Sequence, residues 1–176
     1  MKSFTLIELL MGTAIFLFVL LGFSAFISSV TTTEFRALAV QKLVGNTRTA
    51  LEIMGREMRL ARRVGCGAGG VSFEVENPGP RQGSSIKFTD FDGQCLVYDF
   101  SAAAIRKSIN SAAPALFLGG SNIRVTKLVF HAFPDPSDST KQDRVLINVD
   151  VETDDPTRPG SILTMPVQTT VSQREI

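Results

Sequence analysis

Between Leu9 and Thr33 the chain carries no charged side chain. Leu9 to Ile27 reads LLMGTAIFLFVLLGFSAFI, and extension to Val30 reaches the roughly 20 residues that cross a ~30 Å hydrocarbon core as a helix. Gly12 and Gly22 weaken a helix in water but are tolerated in lipid. A cleaved secretory signal is the main rival, yet its apolar core is usually about 7 to 15 residues and ends in a small-x-small site. Here the run is longer, and helical periodicity continues past it without a proline or a turn cluster. A retained membrane helix is the better reading. Lys2, on the short N-terminal side, points to a cytoplasmic N-terminus with everything beyond about Val30 exported.

Glu8 stands just ahead of the uncharged run. A carboxylate there is costly unless it lies at headgroup depth or has a partner. Both readings remain open from the residues alone. The most economical partner is a new α-amino group on another subunit, created if Met1-Lys2-Ser3 is removed.

The net charge of +1 hides a strong segregation. From Arg36 to Arg63 there are seven basic residues against Glu52 and Glu57, whereas Val64 to the C-terminus carries ten basic and thirteen acidic ones. The chain therefore reads as an apolar N-terminus, a basic stem and a mildly acidic head. Along the stem, Val40, Val44, Thr47, Leu51, Met54, Met58, Ala61 and Gly65 recur at steps of three and four, one apolar face of a helix widened by Leu43, Ala50 and Leu60. No proline precedes Pro78, so one helix is predicted from Phe4 to Val64, roughly 90 Å at 1.5 Å per residue. The glycine-rich stretch Gly65-Cys66-Gly67-Ala68-Gly69-Gly70 ends it.

Four or five strands follow. Ser85–Phe91 and Gln94–Phe100 flank Asp92-Gly93, a hairpin signal. Asn122–Phe133 changes phase near Lys127, which predicts a bulge. Arg144–Val151 alternates strictly, and Ile162–Val171 contains Pro166, which belongs on an edge or at a break. The segments 134–143 and 152–160 read as surface connections. The expected fold is α+β: a long spine, apolar in its first half, packed through its second half on an antiparallel sheet.

Ser3-Phe4-Thr5-Leu6-Ile7-Glu8-Leu9-Leu10 resembles the class III signal of type IV pilins and type II secretion pseudopilins. That resemblance implies cleavage between Ser3 and Phe4 by a prepilin peptidase, N-methylation of Phe4, and an assembly role for Glu8 as the partner of a neighbouring subunit's amine. Ser3 stands where the family usually has glycine. The implied divisions are a leader at 1–3, a membrane and filament-core helix at 4–30, the soluble half of the spine at 31–64, and an exported β-rich head at 65–176. The stem wording Leu51 to Arg59 and the tail Gln168 to Arg174 look most like the minor pilins that help initiate type IV pili. The implied function is an assembly subunit at the initiation or tip of a pilus. A minor pseudopilin of type II secretion is the alternative, and a DNA-binding or adhesive minor pilin a more distant one. The implied partners are other minor and major pilin subunits, the inner membrane and its assembly platform. The implied location is the inner membrane with the head in the periplasm, then the pilus or pseudopilus and the cell surface. In such an oxidising compartment Cys66 and Cys95 pair as one intramolecular disulfide, with buried free thiols as the alternative.

The residues point to no enzyme, cofactor or metal. His131 is the only histidine, which excludes a site built on two imidazoles. Ser84, Ser85 and Ser101 lie in no G-x-S-x-G elbow. Gly65–Gly70 lacks the lysine of a phosphate loop and follows a helix where such a loop follows a strand. Asp90 with Asp92, and Asp135 with Asp138 and Asp143, lack the spacing of an EF-hand and read as hydrated turns. Arg56, Arg59, Arg62 and Arg63 offer a basic face, better suited to the acidic heads of adjacent subunits than to nucleic acid.

Overall fold

The structure, a computed structural model, describes residues 5–62, 66, 73–79, 82–120, 122–133, 142–157 and 160–173. Helix α1 (Leu6–Arg59) takes up the first third of the chain and spans about 80 Å over its 54 residues. Thr5 caps it in an extended conformation, and among its residues none before Leu43 is buried. The membrane-length apolar stretch therefore stands clear of the rest of the molecule.

The helix stops five residues before the expected Val64. Its last turn closes with Leu60 N–H donating to Arg56 O, and Ala61 N–H to Met58 O. The Arg62 N–H then donates to Thr89 O at 2.8 Å, so the backbone has already joined the sheet as an isolated bridge. Tertiary pairing ends this helix ahead of the glycines.

Among the described residues eight strands follow: β1 (Glu74–Gly79), β2 (Gln82–Thr89), β3 (Cys95–Ser101), β4 (Ala104–Ile109), β5 (Ala115–Leu118), β6 (Arg124–Phe133), β7 (Arg144–Asp154) and β8 (Ile162–Ser172). All pairings are antiparallel, in the order β5-β4-β3-β2-β6-β7-β8, with β1 on β2. Gln82 and Gly83 pair with both β1 and β6, while Ser85 to Lys87 pair with both β1 and β3. One edge of β2 is thus given to β1, and the other is shared between β3 and β6. The fold is α+β, with the layout of a pilin-like protein: one long helix laid on a curled antiparallel sheet.

Several expected strands are present with adjusted ends. The β2–β3 hairpin forms, but its connection is longer than Asp92-Gly93 alone: Asp90 N–H donates to Gln94 O, the Asp90 carboxylate accepts Gln94 N–H, and Gly93 takes φ 83°. The bulge near Lys127 is there, between Val125 and Lys127. Val145, Ile147, Val149 and Val151 all face the core, and Pro166 sits in β8, paired on one side only. The connection expected at 152–160 is shorter, because Glu152, Thr153 and Asp154 complete β7 and Asp155 is buried. Of the connection expected at 134–143, residues 134–141 lie outside the described residues, and Asp143 is buried with its carbonyl accepting Gln173 N–H.

Strands β1, β4 and β5 were not anticipated. The β3–β4 turn is built from Ala102 and Ala103 at φ 52° and 57°, a left-handed pair that normally asks for Asn-Gly. The core between the layers holds Met54 and Met58 of α1 against Phe73, Ile86, Phe88, Tyr98, Ile105, Phe130 and the inward row of β7. Phe88 and Tyr98 stack at 6.2 Å, and Phe73 and Phe117 approach them edge-on. At the lower end of the contact Leu43 and Ala50 are buried, whereas Val40 and Val44 remain partly exposed. The packed face is therefore turned slightly from the predicted stripe, leaving Val44 toward β8.

Candidate functional site

Two features stand out among the described residues: the bare apolar helix, and the seam where the helix meets the head. On the first, Leu6 to Val30 exposes almost every large apolar side chain, from Leu9, Leu10 and Met11 through Phe16, Phe18 and Leu21 to Phe23, Phe26 and Ile27. Exposed apolar area on this scale marks a surface that is covered by lipid or protein in use. The helix is long and apolar enough to cross a membrane. Its hydroxyls do not interrupt that character: Thr13, Thr31, Thr32 and Thr33 each donate back to a carbonyl three or four residues earlier. Glu8 lies in the first turn, exposed, where a carboxylate also suits the positive end of the helix dipole. Ser3 and Phe4 lie outside the described residues.

At the seam, contacts among the described residues pin the spine at four heights. Lowest, Arg36 Nε lies 3.6 Å from Asp155 Oδ2. Near the upper end of the helix, Glu57 accepts the Tyr98 phenol on one carboxylate oxygen at 2.5 Å and the Lys107 ammonium on the other at 2.7 Å. Tyr98 and Lys107 are cross-strand partners on β3 and β4, and the ammonium lies 5.6 Å from the centre of the tyrosine ring. Burial, and then the Glu57 carboxylate, holds the Tyr98 phenol well above its ordinary pKa. Higher still, Gln173 Nε2 donates to Ala61 O at 2.6 Å.

At the top, Arg62 donates from Nε to Phe91 O and lies over the Phe91 ring. Beside it Cys66 and Cys95 form the expected disulfide, Cα to Cα 5.3 Å, joining the chain just past the spine to the first residue of β3.

Sequence reasoning missed the Glu57–Tyr98–Lys107 group, the Arg36–Asp155 pair and the Gln173 contact. Only Glu57 left a trace: a carboxylate bordering the apolar face between Met54 and Met58. Of the basic residues singled out, Arg56, Arg59 and Arg62 are exposed and Arg63 lies outside the described residues; lower on the stem, Arg48 is committed to Glu52 at 2.8 Å. A shallow groove of about 370 Å³ runs between α1 and β8, lined by Val44, Leu51, Gly55, Met165 and Val167.

Among the described residues, those weighed for chemistry are not brought together. Ser101 donates to Asp99 on its own strand, and His131 sits in β6 opposite Gln82 and Leu146. Asp135 and Asp138 lie outside the described residues, and among the described residues no three His, Cys, Asp or Glu side chains are grouped to hold a metal. Comparison with protein-family models, with curated proteins and with solved structures returned no match.

Proposed function

We propose that the chain is a filament subunit of the type IV pilin kind, a minor pilin contributing to pilus initiation or to the tip. One observation carries the reading: an apolar helix of membrane length, bare along its whole first half, enters the head without a break and begins with a carboxylate in its first turn. A membrane anchor alone needs only about 20 apolar residues and a linker. Here the spine is pinned to the sheet from Arg36 to Arg62, so lifting the helix out of lipid lifts the head with it as one body. That is what a subunit transferred from a bilayer into a helical stack requires.

In this reading the prepilin peptidase removes Met1-Lys2-Ser3, the Phe4 amine is methylated, and Glu8 meets the amine of a neighbouring subunit. The head is periplasmic before assembly, and other minor and major pilin subunits are the partners. The mature N-terminus tests it. Intact-mass measurement on protein from the native host should find a chain that has lost three residues and begins with a methylated Phe4. A chain beginning beyond residue 20, as from an ordinary signal peptidase, would overturn it.

A further inference from the structure

Two of the seam contacts fix the direction of β8. Arg36 meets Asp155 at the start of the β7–β8 connection, and Gln173, one residue past β8, meets Ala61. Between those contacts the helix advances about 37 Å at 1.5 Å per residue. The strand, from Ser161 to Gln173, advances about 40 Å at ~3.3 Å per residue. The lengths match, so β8 runs along the spine in the same direction. The β7–β8 end of the head is therefore nearest the apolar run, and the end with Arg62 and the disulfide is farthest.

The height of that lower end follows. Arg36 is six residues past Val30, about 9 Å along the axis. The headgroup layer of one leaflet is about 5 to 7 Å thick, the difference between a ~30 Å core and a 40–45 Å bilayer shared by two faces. The β7–β8 end thus stands at the outer margin of the headgroups.

It is also rigid. The Asp155 N–H donates to Ser161 O, and its Oδ1 accepts both the N–H and the hydroxyl of Thr157. Just above, Arg124 holds Glu152 and Asp154 together. Exposed at that end are Pro156, Gly160 and Ile162, the last 49% exposed, and the spine residues next to Arg36, Phe35 and Leu38, are exposed as well.

We propose that the β7–β8 end is a foot by which the head rests on the bilayer surface, with the Arg36–Asp155 pair setting its stance. Its occupant is the lipid headgroup layer. Arg124 is already engaged by Glu152 and Asp154, and the contact is delivered by the anchor. The consequence is a head held at a fixed height, with the Phe91 and disulfide end presented outward. The proposal rests on the membrane reading above and deepens it.

The chain has no tryptophan, so single tryptophans report cleanly. The full chain is reconstituted in phosphatidylcholine vesicles as three variants: Phe18→Trp in the apolar run, Ile162→Trp at the foot and Phe91→Trp at the far end. Phe18→Trp should be quenched by brominated acyl chains. Ile162→Trp should be quenched at least two-fold more strongly than Phe91→Trp by a nitroxide on the lipid headgroup. Adding Arg36→Gln to Ile162→Trp should reduce that quenching toward the Phe91→Trp level.

If Phe18→Trp is quenched but Ile162→Trp matches Phe91→Trp, the foot is wrong and the anchor stands. If Ile162→Trp is shielded from aqueous iodide yet untouched by headgroup nitroxide, a protein covers it and the lipid proposal falls. If Phe18→Trp escapes brominated lipid, the membrane reading fails and the foot with it. Unchanged quenching in the Arg36→Gln background would overturn the role given to the ion pair.

Discussion

The phenol of Tyr98 donates to Glu57 Oε2 across 2.5 Å, tying the centre of the sheet to the spine through a tyrosine that is itself fully buried. Tyr98 is the only tyrosine in a chain without tryptophan, so phenolate absorbance reports this one contact. Burial chiefly, and Glu57 after it, raises the phenol's pKa in the folded protein. In the unfolded chain it ionises near pH 10. The stability linked to it is complete below about pH 10 and falls as pH rises further, because the unfolded state then loses a proton that the folded state keeps. Phenolate absorbance should therefore stay absent through about pH 10 and appear only together with loss of the β-sheet circular dichroism. A midpoint near 10 with the fold intact would contradict this.

Glu57→Leu leaves the buried phenol without its acceptor and Lys107 without its carboxylate. It should cost about 1 to 3 kcal/mol, the penalty of an unmet buried polar group. Tyr98→Phe removes the donor itself and leaves Glu57 with Lys107, so it should cost less. Urea unfolding of the full chain in detergent micelles at neutral pH measures both. The reverse order would show that packing of the phenol oxygen, and not its pairing, dominates at this position.

What could be read from the sequence followed from periodicity. The alternation Val145, Ile147, Val149, Val151 predicts a half-buried strand, and the structure buries all four on one side. The apolar run and the continuous helical period through Met58 predict one spine, which α1 is. Where a long-range pairing decides, periodicity is silent. The Arg62–Thr89 bridge ends α1 early, and no local signal marks it. Strand β4 begins after an Ala-Ala turn that has no glycine or asparagine to announce it, and Arg106 and Lys107 break its apolar pattern. The seam was illegible for the same reason, since Arg36 and Asp155, or Ala61 and Gln173, are brought together only by the docking of β8 along the spine.

The Ala102–Ala103 turn is a place where a substitution should help. Both residues are left-handed, and Ala103 also accepts Val125 N–H on its carbonyl, which holds the turn in place. Ala103→Gly should stabilise by about 0.5 to 1 kcal/mol, the release from the left-handed conformation outweighing the extra freedom of the unfolded chain. Gly119→Ala should do the opposite. Its added Cβ would sit 2.7 Å from Ala104 Cβ and 3.0 Å from Ala104 Cα, on a backbone at φ 135°. A loss of about 1 to 3 kcal/mol is expected from such overpacking. Thermal unfolding midpoints that move in these opposite directions would confirm the turn's geometry.

The disulfide closes a 29-residue separation between the chain just past the spine and β3. Cys66→Ser or Cys95→Ser should lower stability by about 2 to 5 kcal/mol, as for small exported domains. Non-reducing peptide mapping of protein from the native host should show the two linked. Full alkylation of both thiols without reduction would remove the bridge from the folded state.

Glu8 supplies the last prediction, because its surroundings change most between the two states proposed for the chain. In the bilayer it sits in the first turn of α1, where headgroups and water limit the cost of its charge. In a filament it would be enclosed by apolar helices, where an isolated carboxylate is expensive. The Phe4 amine of an adjacent subunit offsets that cost through a charge-assisted hydrogen bond. Glu8→Gln keeps the shape and removes the charge; Glu8→Leu removes the charge and the hydrogen bonds. Both variants should still insert and lose their leader, since neither change shortens the apolar run. Both should be recruited poorly into filaments or the initiating complex, with the leucine variant at least as impaired as the glutamine one. Crosslinking to partner pilins in membranes, with surface-pilus yield and subunit abundance measured alongside, reads the effect. Wild-type crosslinking and pilus yield from both variants at equal abundance would make Glu8 an interfacial carboxylate with no part in assembly.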